Sequence, residues 1–269
     1  MNYRGKRALV TGASAGIGEA FARALAGKGA DLVLTARRAD RLTALAEDLR
    51  SSAGVKVTTV AADLADPGAP DAILTAAAEA GPVDILVNNA GYGLPGYFSE
   101  SDWSAHHDFL EVMVTSYARL THALTPGMVE RGFGRIIQVS SVAGLTPGSA
   151  GHTLYGPAKA FLVSFAQSIA AECDGTGVHS TALCPGFTYT EFHDVNGTRK
   201  LVSLLPKRMF MAVEPVVEGA IEAVERGHVV YVPGAWNKFL VGVVKAMPRP
   251  WAAQMMKEQS SKFRRRKSA

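Results

Sequence analysis

Residues 7–18 read RALVTGASAGIG. The first half is an apolar run of strand type; the second holds Gly12, Gly16 and Gly18 within seven residues. Glycine permits a sharp backbone turn and a close approach that a Cβ would block. The amphipathic pattern over 16–28 then starts a helix, whose first N–H groups are unpaired and whose positive dipole end faces the turn. Strand, glycine turn and helix start together describe a cradle for a pyrophosphate. The spacing departs from Gly-x-Gly-x-x-Gly, so context carries this reading more than glycine count does.

Working outward, the alternation repeats. Apolar runs recur at 31–36, 56–63, 84–90, 134–141, 178–186 and 228–233, most of them without strict in–out alternation. Strands covered on both faces read this way. Helical patterns lie between them at 38–52, 69–80, 101–131, 154–173 and 214–226. Strand alternating with helix predicts an α/β fold: a doubly wound, mainly parallel seven-stranded sheet with helices on both faces. Residues 1–235 are expected to form one domain, with the irregular stretch 187–213 as a substrate loop. Residues 236–269 form a C-terminal extension with a basic tail.

Composition narrows the class. The 269 residues are 48% hydrophobic, enough for a large core. A net charge of +4 is too mild to indicate nucleic acid, and the excess is local, in SKFRRRKSA at the C-terminus. Cys173 and Cys184 suit neither a disulfide framework nor a metal site, so no metal is expected and a cytoplasmic location is. The opening MNYRGKRALVTG enters a strand pattern too soon for a signal peptide, and no apolar run reaches the roughly 18 residues that span a bilayer.

The tip of the second strand selects the cofactor. Thr35-Ala36 is followed by Arg37-Arg38, and no acid stands where a carboxylate would bind a ribose 2′-hydroxyl. Arginine suits a 2′-phosphate as a permanently charged, two-pronged donor. The expectation is NADP(H).

Residues 154–160, LYGPAKA, hold Tyr155 and Lys159 one helical turn apart. A free tyrosine, with a pKa of about 10, is a poor base at neutral pH, and a neighbouring ammonium would lower that value. The pair alone is weak evidence, but Ser140-Ser141 ends the preceding strand, where a hydroxyl faces the ligand crevice. The ordered set of the glycine loop, Asn88-Asn89-Ala90-Gly91, Ser141, Tyr155-Gly156-Pro157-Ala158-Lys159 and Pro185-Gly186 resembles the short-chain dehydrogenase/reductase family. The resemblance spans roughly residues 5–232.

That resemblance implies a single Rossmann-type domain and hydride transfer between a nicotinamide and a carbonyl or alcohol. It implies that Gly12, Ser14, Gly16, Ile17 and Gly18 hold the pyrophosphate end. Arg37, assisted by Arg38, would meet the 2′-phosphate, and Asp63 and Leu64 the adenine. Asn88, Ala90 and Gly91 would form the floor under the cofactor, and Pro185, Gly186, Thr188 and Thr190 would hold the carboxamide. Ser141 would orient the substrate oxygen and Tyr155 act as general acid/base. Lys159 would tune Tyr155 and bind the nicotinamide ribose. The family also implies a homodimer or homotetramer paired through 101–131 and 154–173.

Two positions depart from the pattern. Met113 stands where the family has an asparagine, so only its main-chain carbonyl could serve a relay water, and a slower or rerouted relay is expected. The spacing from Ser141 to Tyr155 is one residue longer than usual, a difference assigned to the loop 146–153. His106, His107, His152, His193 and Cys184 carry no assigned chemistry.

The pocket walls read as apolar, with Tyr92, Leu94, Tyr97, Phe98, Leu145, Leu154, Phe187, Phe192, Leu204 and Leu205. This favours an apolar carbonyl or alcohol as the small-molecule partner. The alternative activity is an NADP(H)-binding sensor or scaffold without turnover, with Met113 as its support. For 236–269, a weak membrane-surface contact competes with a core, dimer or pocket-cover role and a solvated tail.

Overall fold

The computed structural model describes residues 1–94, 96–151, 153–189 and 210–263. The expected runs form β1 (Arg7–Thr11), β2 (Asp31–Ala36), β3 (Val57–Ala61), β4 (Ile85–Asn88), β5 (Gly134–Val139), β6 (Val178–Leu183) and β7 (Val230–Tyr231). All pair in parallel, in the order β3-β2-β1-β4-β5-β6-β7.

Successive strand residues point to opposite faces, and each face has its own core. Val10, Leu34, Val87 and Ile137 pack under Phe21 and Leu25 of α1 (Gly16–Gly27), Leu42 of α2 (Ala39–Ala53) and Ile221 of α7 (Val213–Glu225). Leu9, Val33, Leu86 and Ile136 pack under Ile73 of α3 (Ala69–Ala80), Phe109 of α4 (Trp103–Leu110) and Leu120 of α5 (Ser116–Glu130). Burial on both faces is why these strands lack alternation.

The winding reverses between β1 and β4, which opens a crevice at their carboxyl ends. The glycine turn leaves β1 there, and Asn89-Ala90-Gly91 leaves β4 beside it.

The helix expected over 101–131 is interrupted. A π turn spans Glu111–Thr115, with the Ser116 N–H bonded to the Glu111 carbonyl, between α4 and α5. Met113 lies in that wide turn. The C-terminal run forms α8 (Ala235–Ala246) and α9 (Arg249–Phe263), separated at Pro248, before which Met247 is extended. The long excursion after β6 is closed at its base: Thr188 bridges Met211, with paired Tyr189 N–H to Met211 O and Met211 N–H to Phe187 O bonds of 3.0 Å each.

Candidate active site

The cradle is set by backbone proximity. Gly12 has φ +66°, and a Cβ there would lie 2.8 Å from Ala90 Cα. A Cβ on Gly18 would lie 2.3 Å from the Gly12 carbonyl oxygen. Only glycine fits both places. Asn89 ties the two loops together: its Nδ2 donates to the Thr11 carbonyl at 2.9 Å, and its own N–H donates to Thr11 Oγ1 at 2.8 Å. Asn88, by contrast, turns its amide toward α5 and β5, with Thr121 Oγ1 and Gln138 Oε1 each at 3.1 Å. It braces the segment from behind, while Asn89 and Ala90 meet the glycine turn. The sequence pattern assigns Asn89 no role of its own; its tie to the β1 turn appears only when β4 packs beside β1.

The floor has a second support. Tyr117 donates its hydroxyl to the Ala90 carbonyl at 2.6 Å. Met113 is fully buried, and a Cβ on Gly91 would meet its Sδ at 2.6 Å. The thioether therefore packs against Gly91.

At the tip of β2 the two arginines divide. Arg38 reaches back to the glycine loop, with Nε 3.2 Å and NH2 3.1 Å from Ser14 Oγ. Arg37 is largely exposed, its NH1 3.8 Å from Asp63. Arg38 and Ser14 thus form the more built half of this cationic end. Leu64 is buried in the core, and its carbonyl accepts from Ser116 Oγ at 3.0 Å. Ile17 packs partly buried against the core under the loop.

Ser140 and Ser141 act on α6 (Tyr155–Glu172) in different ways. Ser140 Oγ donates to the Lys159 backbone carbonyl at 2.6 Å. The helix comes this close because of Gly144, where a Cβ would lie 2.6 Å from that carbonyl. Ser141 caps the short turn Val142–Leu145 through the Ala143 N–H and hydrogen-bonds the Tyr155 side chain. Pro157 lies in the first turn of α6, where its missing N–H costs no helical bond.

Lys159 is 4% exposed and donates from Nζ to the Val139 carbonyl at 2.7 Å. Burial pushes its pKa down to about 7, against a small upward pull from Cys184. Burial likewise pushes Tyr155 up to about 12, against a lowering by the Ser141 hydrogen bond. The expected lowering of Tyr155 by the lysine is therefore corrected here. The amine is anchored on Val139, 5.6 Å from the tyrosine ring centroid, and desolvation sets both values.

Beyond β6, a Cβ on Gly186 would meet Asn237 Oδ1 at 2.5 Å, so α8 presses on the Pro185-Gly186 turn. Asn237 was not singled out in the sequence. Thr188 Oγ1 donates to the Gly186 carbonyl at 3.3 Å. Phe187, Tyr189 and Phe210 form an aromatic group at the base of the excursion, and Tyr92 packs edge-on against Phe109. Thr190, His152, His193, Phe192, Leu204 and Leu205 lie outside the described residues. Among the described residues, no cluster of His, Cys, Asp and Glu could hold a metal ion.

Comparison with known proteins agrees with this geometry. The family model for short chain dehydrogenases matches residues 6–200. Nodulation protein G of Rhizobium sp. (strain N33) is 38% identical over 238 residues, covering 86% of this chain and 93% of that protein. A solved 7beta-hydroxysteroid dehydrogenase has a TM-score of 0.85 at 28% identity, covering 95% of this chain and 99% of that one. L-Sorbose reductase from Gluconobacter frateurii, complexed with NADPH and L-sorbose, has a TM-score of 0.76 at 31% identity, over 86% and 96% of the two chains.

Proposed function

The chain belongs to the short-chain dehydrogenase family, and on that premise we propose that it is an NADP(H)-dependent oxidoreductase that interconverts an apolar carbonyl compound and its alcohol. The observation that carries the reading is the cluster of half-buried Ser141 and Tyr155 with buried Lys159, one strand away from the glycine cradle.

The residues fit a dinucleotide. The cradle between Gly12, Gly18 and Asn89 has no room for side chains, and α1 presents its N-terminus to it. Arg38, Ser14 and Arg37 supply the donor set for a 2′-phosphate. Lys159 and the Pro185-Gly186-Thr188 turn lie on the nicotinamide side. Several solved neighbours are NADPH complexes. When bound, the cofactor supplies or accepts a hydride.

The chain's own residues handle the oxygen. Ser141 holds the substrate oxygen by a hydrogen bond and points it at Tyr155. Burial keeps the phenol protonated at neutral pH, ready to donate to the oxygen as negative charge develops there. Met113 brings no polar side chain to this end, so proton resupply runs through backbone groups and hydroxyls.

Neighbours named for a steroid and for a sugar do not select one substrate class. The apolar preference rests on Tyr92, Leu94, Leu145 and the aromatic group at Phe187. NADPH oxidation across aldehydes, ketones, quinones and steroids tests it. Tyr155→Phe should lower kcat about a thousandfold with NADPH binding retained. Retained turnover in that variant would remove the assignment. Cofactor binding with no turnover on any carbonyl would favour the sensor reading, for which Met113 is the supporting observation.

A further inference from the structure

We propose that α8 and the start of α9 form a docking face for an anionic membrane surface. α8 buries Asn237, Val241 and Val244 against the body. A different face carries Trp236, Phe239 and Val243, at i, i+3 and i+7, which are 52%, 62% and 40% exposed. The Trp236 and Phe239 rings lie 5.9 Å apart, and Trp251, at the start of α9, is 70% exposed. Single exposed apolar residues are ordinary, but an aromatic stripe along one helix marks an interaction surface.

Charge selects the occupant. Residues 227–269 hold nine of the chain's 28 Lys and Arg and one of its 24 Asp and Glu, namely Glu258. That segment carries +8, and the remaining 19 basic and 23 acidic residues give 1–226 a charge of −4. Lys238, Lys245, Arg249 and Lys257 against Glu258 leave +3 over residues 227–258, so a second copy meeting this face with its own would set like charge against like charge. An anionic bilayer instead attracts each basic residue near its surface and accepts the aromatic stripe at the headgroup boundary. Among the described residues no helix is long and apolar enough to cross a membrane, so the helix lies on the surface.

The face is mechanically joined to the site. Asn237, next to Trp236, packs on Gly186 and donates to the Pro233 carbonyl at 2.9 Å, with its Nδ2 3.6 Å from Met211 Sδ. Docking therefore brings the Pro185-Gly186 turn and the Thr188–Met211 clasp toward the membrane. If the oxidoreductase reading above holds, an apolar substrate enters from the lipid side. The docking itself does not depend on that reading.

Flotation of the full chain tests it, with phosphatidylcholine vesicles with and without about 30% phosphatidylglycerol. The protein should float with the anionic vesicles, stay behind with pure phosphatidylcholine, and dissociate in high salt. Combining Trp236→Ser with Phe239→Ser should cut the bound fraction about tenfold, with NADPH affinity and melting behaviour unchanged. In a Trp103→Phe background, indole emission should shift to the blue on adding anionic vesicles. Equal flotation of the double variant, or equal binding to both vesicle types, overturns the proposal. So does a dimer by light scattering that never floats and that the double variant dissociates, which would give the face to a second copy. Loss of turnover with flotation intact would count against the enzyme reading alone.

Discussion

Lys159 shows what burial does to one titratable group. Its amine sits in the protein with a backbone carbonyl for company, which holds its pKa near 7 against an ordinary 10.5. Unfolding restores the ordinary value. Between those two pH values the unfolded chain binds a proton that the folded chain does not, so folding stability rises with pH across that window. The destabilisation is fully present below pH 7 and relieved by pH 10.5. Lys159→Met should remove this rise, measured as the difference between wild-type and variant denaturation midpoints at neutral and alkaline pH. Midpoints that stay parallel would mean the amine titrates normally. Tyr155 shows the same physics with the opposite consequence, since burial keeps its proton on.

At the scale of elements, the site is made by close approaches between segments distant in sequence. Gly18 on α1, Gly12 after β1 and Asn89 after β4 meet within contact distance. Gly18→Ala puts a methyl against the Gly12 carbonyl, a backbone atom that cannot swing away. The expected cost is about 2 kcal/mol of stability. Titration should show NADPH binding weakened more than tenfold, as the loop separates from α1. Normal cofactor affinity in that variant would refute the cradle. The π turn at Glu111–Thr115 belongs to this scale too, because a wide turn is what sets Met113 under Gly91.

The whole molecule is closed at the end of the sheet opposite the site. Arg135, on β5, is almost buried and pairs with Glu225 at the end of α7, its Nε 2.9 Å from Oε1. Tyr3 donates to the same carboxylate at 2.6 Å, which joins the N-terminus to this pair. Burial pushes Glu225 up, but the hydrogen bonds from Arg135 and Tyr3 outweigh it and hold the carboxyl below its ordinary value. Glu225→Gln leaves the guanidinium without its counter-charge, at a cost of about 3 kcal/mol. Denaturant unfolding should show it, with NADPH binding unchanged because the site lies at the other end of the strands. An unaltered midpoint would mean that the pair contributes nothing net.

The sequence by itself determined the order of strands and helices and the glycine turn. Local periodicity and spacing encode those directly, and the structure has every expected strand; the Ser141, Tyr155 and Lys159 set was legible only through the family resemblance of the ordered motifs. The helix pattern from 154 also agrees with the structure, where α6 starts at Tyr155 and Pro157 falls in its first turn. Tertiary structure alone decided the rest. Which of Asn88 and Asn89 faces the loop depends on where α5 and β1 pack. Which arginine is held by Ser14 depends on how the end of β2 meets the glycine turn. That desolvation, opposed by the Ser141 hydrogen bond, sets the Tyr155 value depends on how the segments around the pair pack. These are consequences of contacts between residues far apart in the chain, and a linear pattern carries no measure of burial.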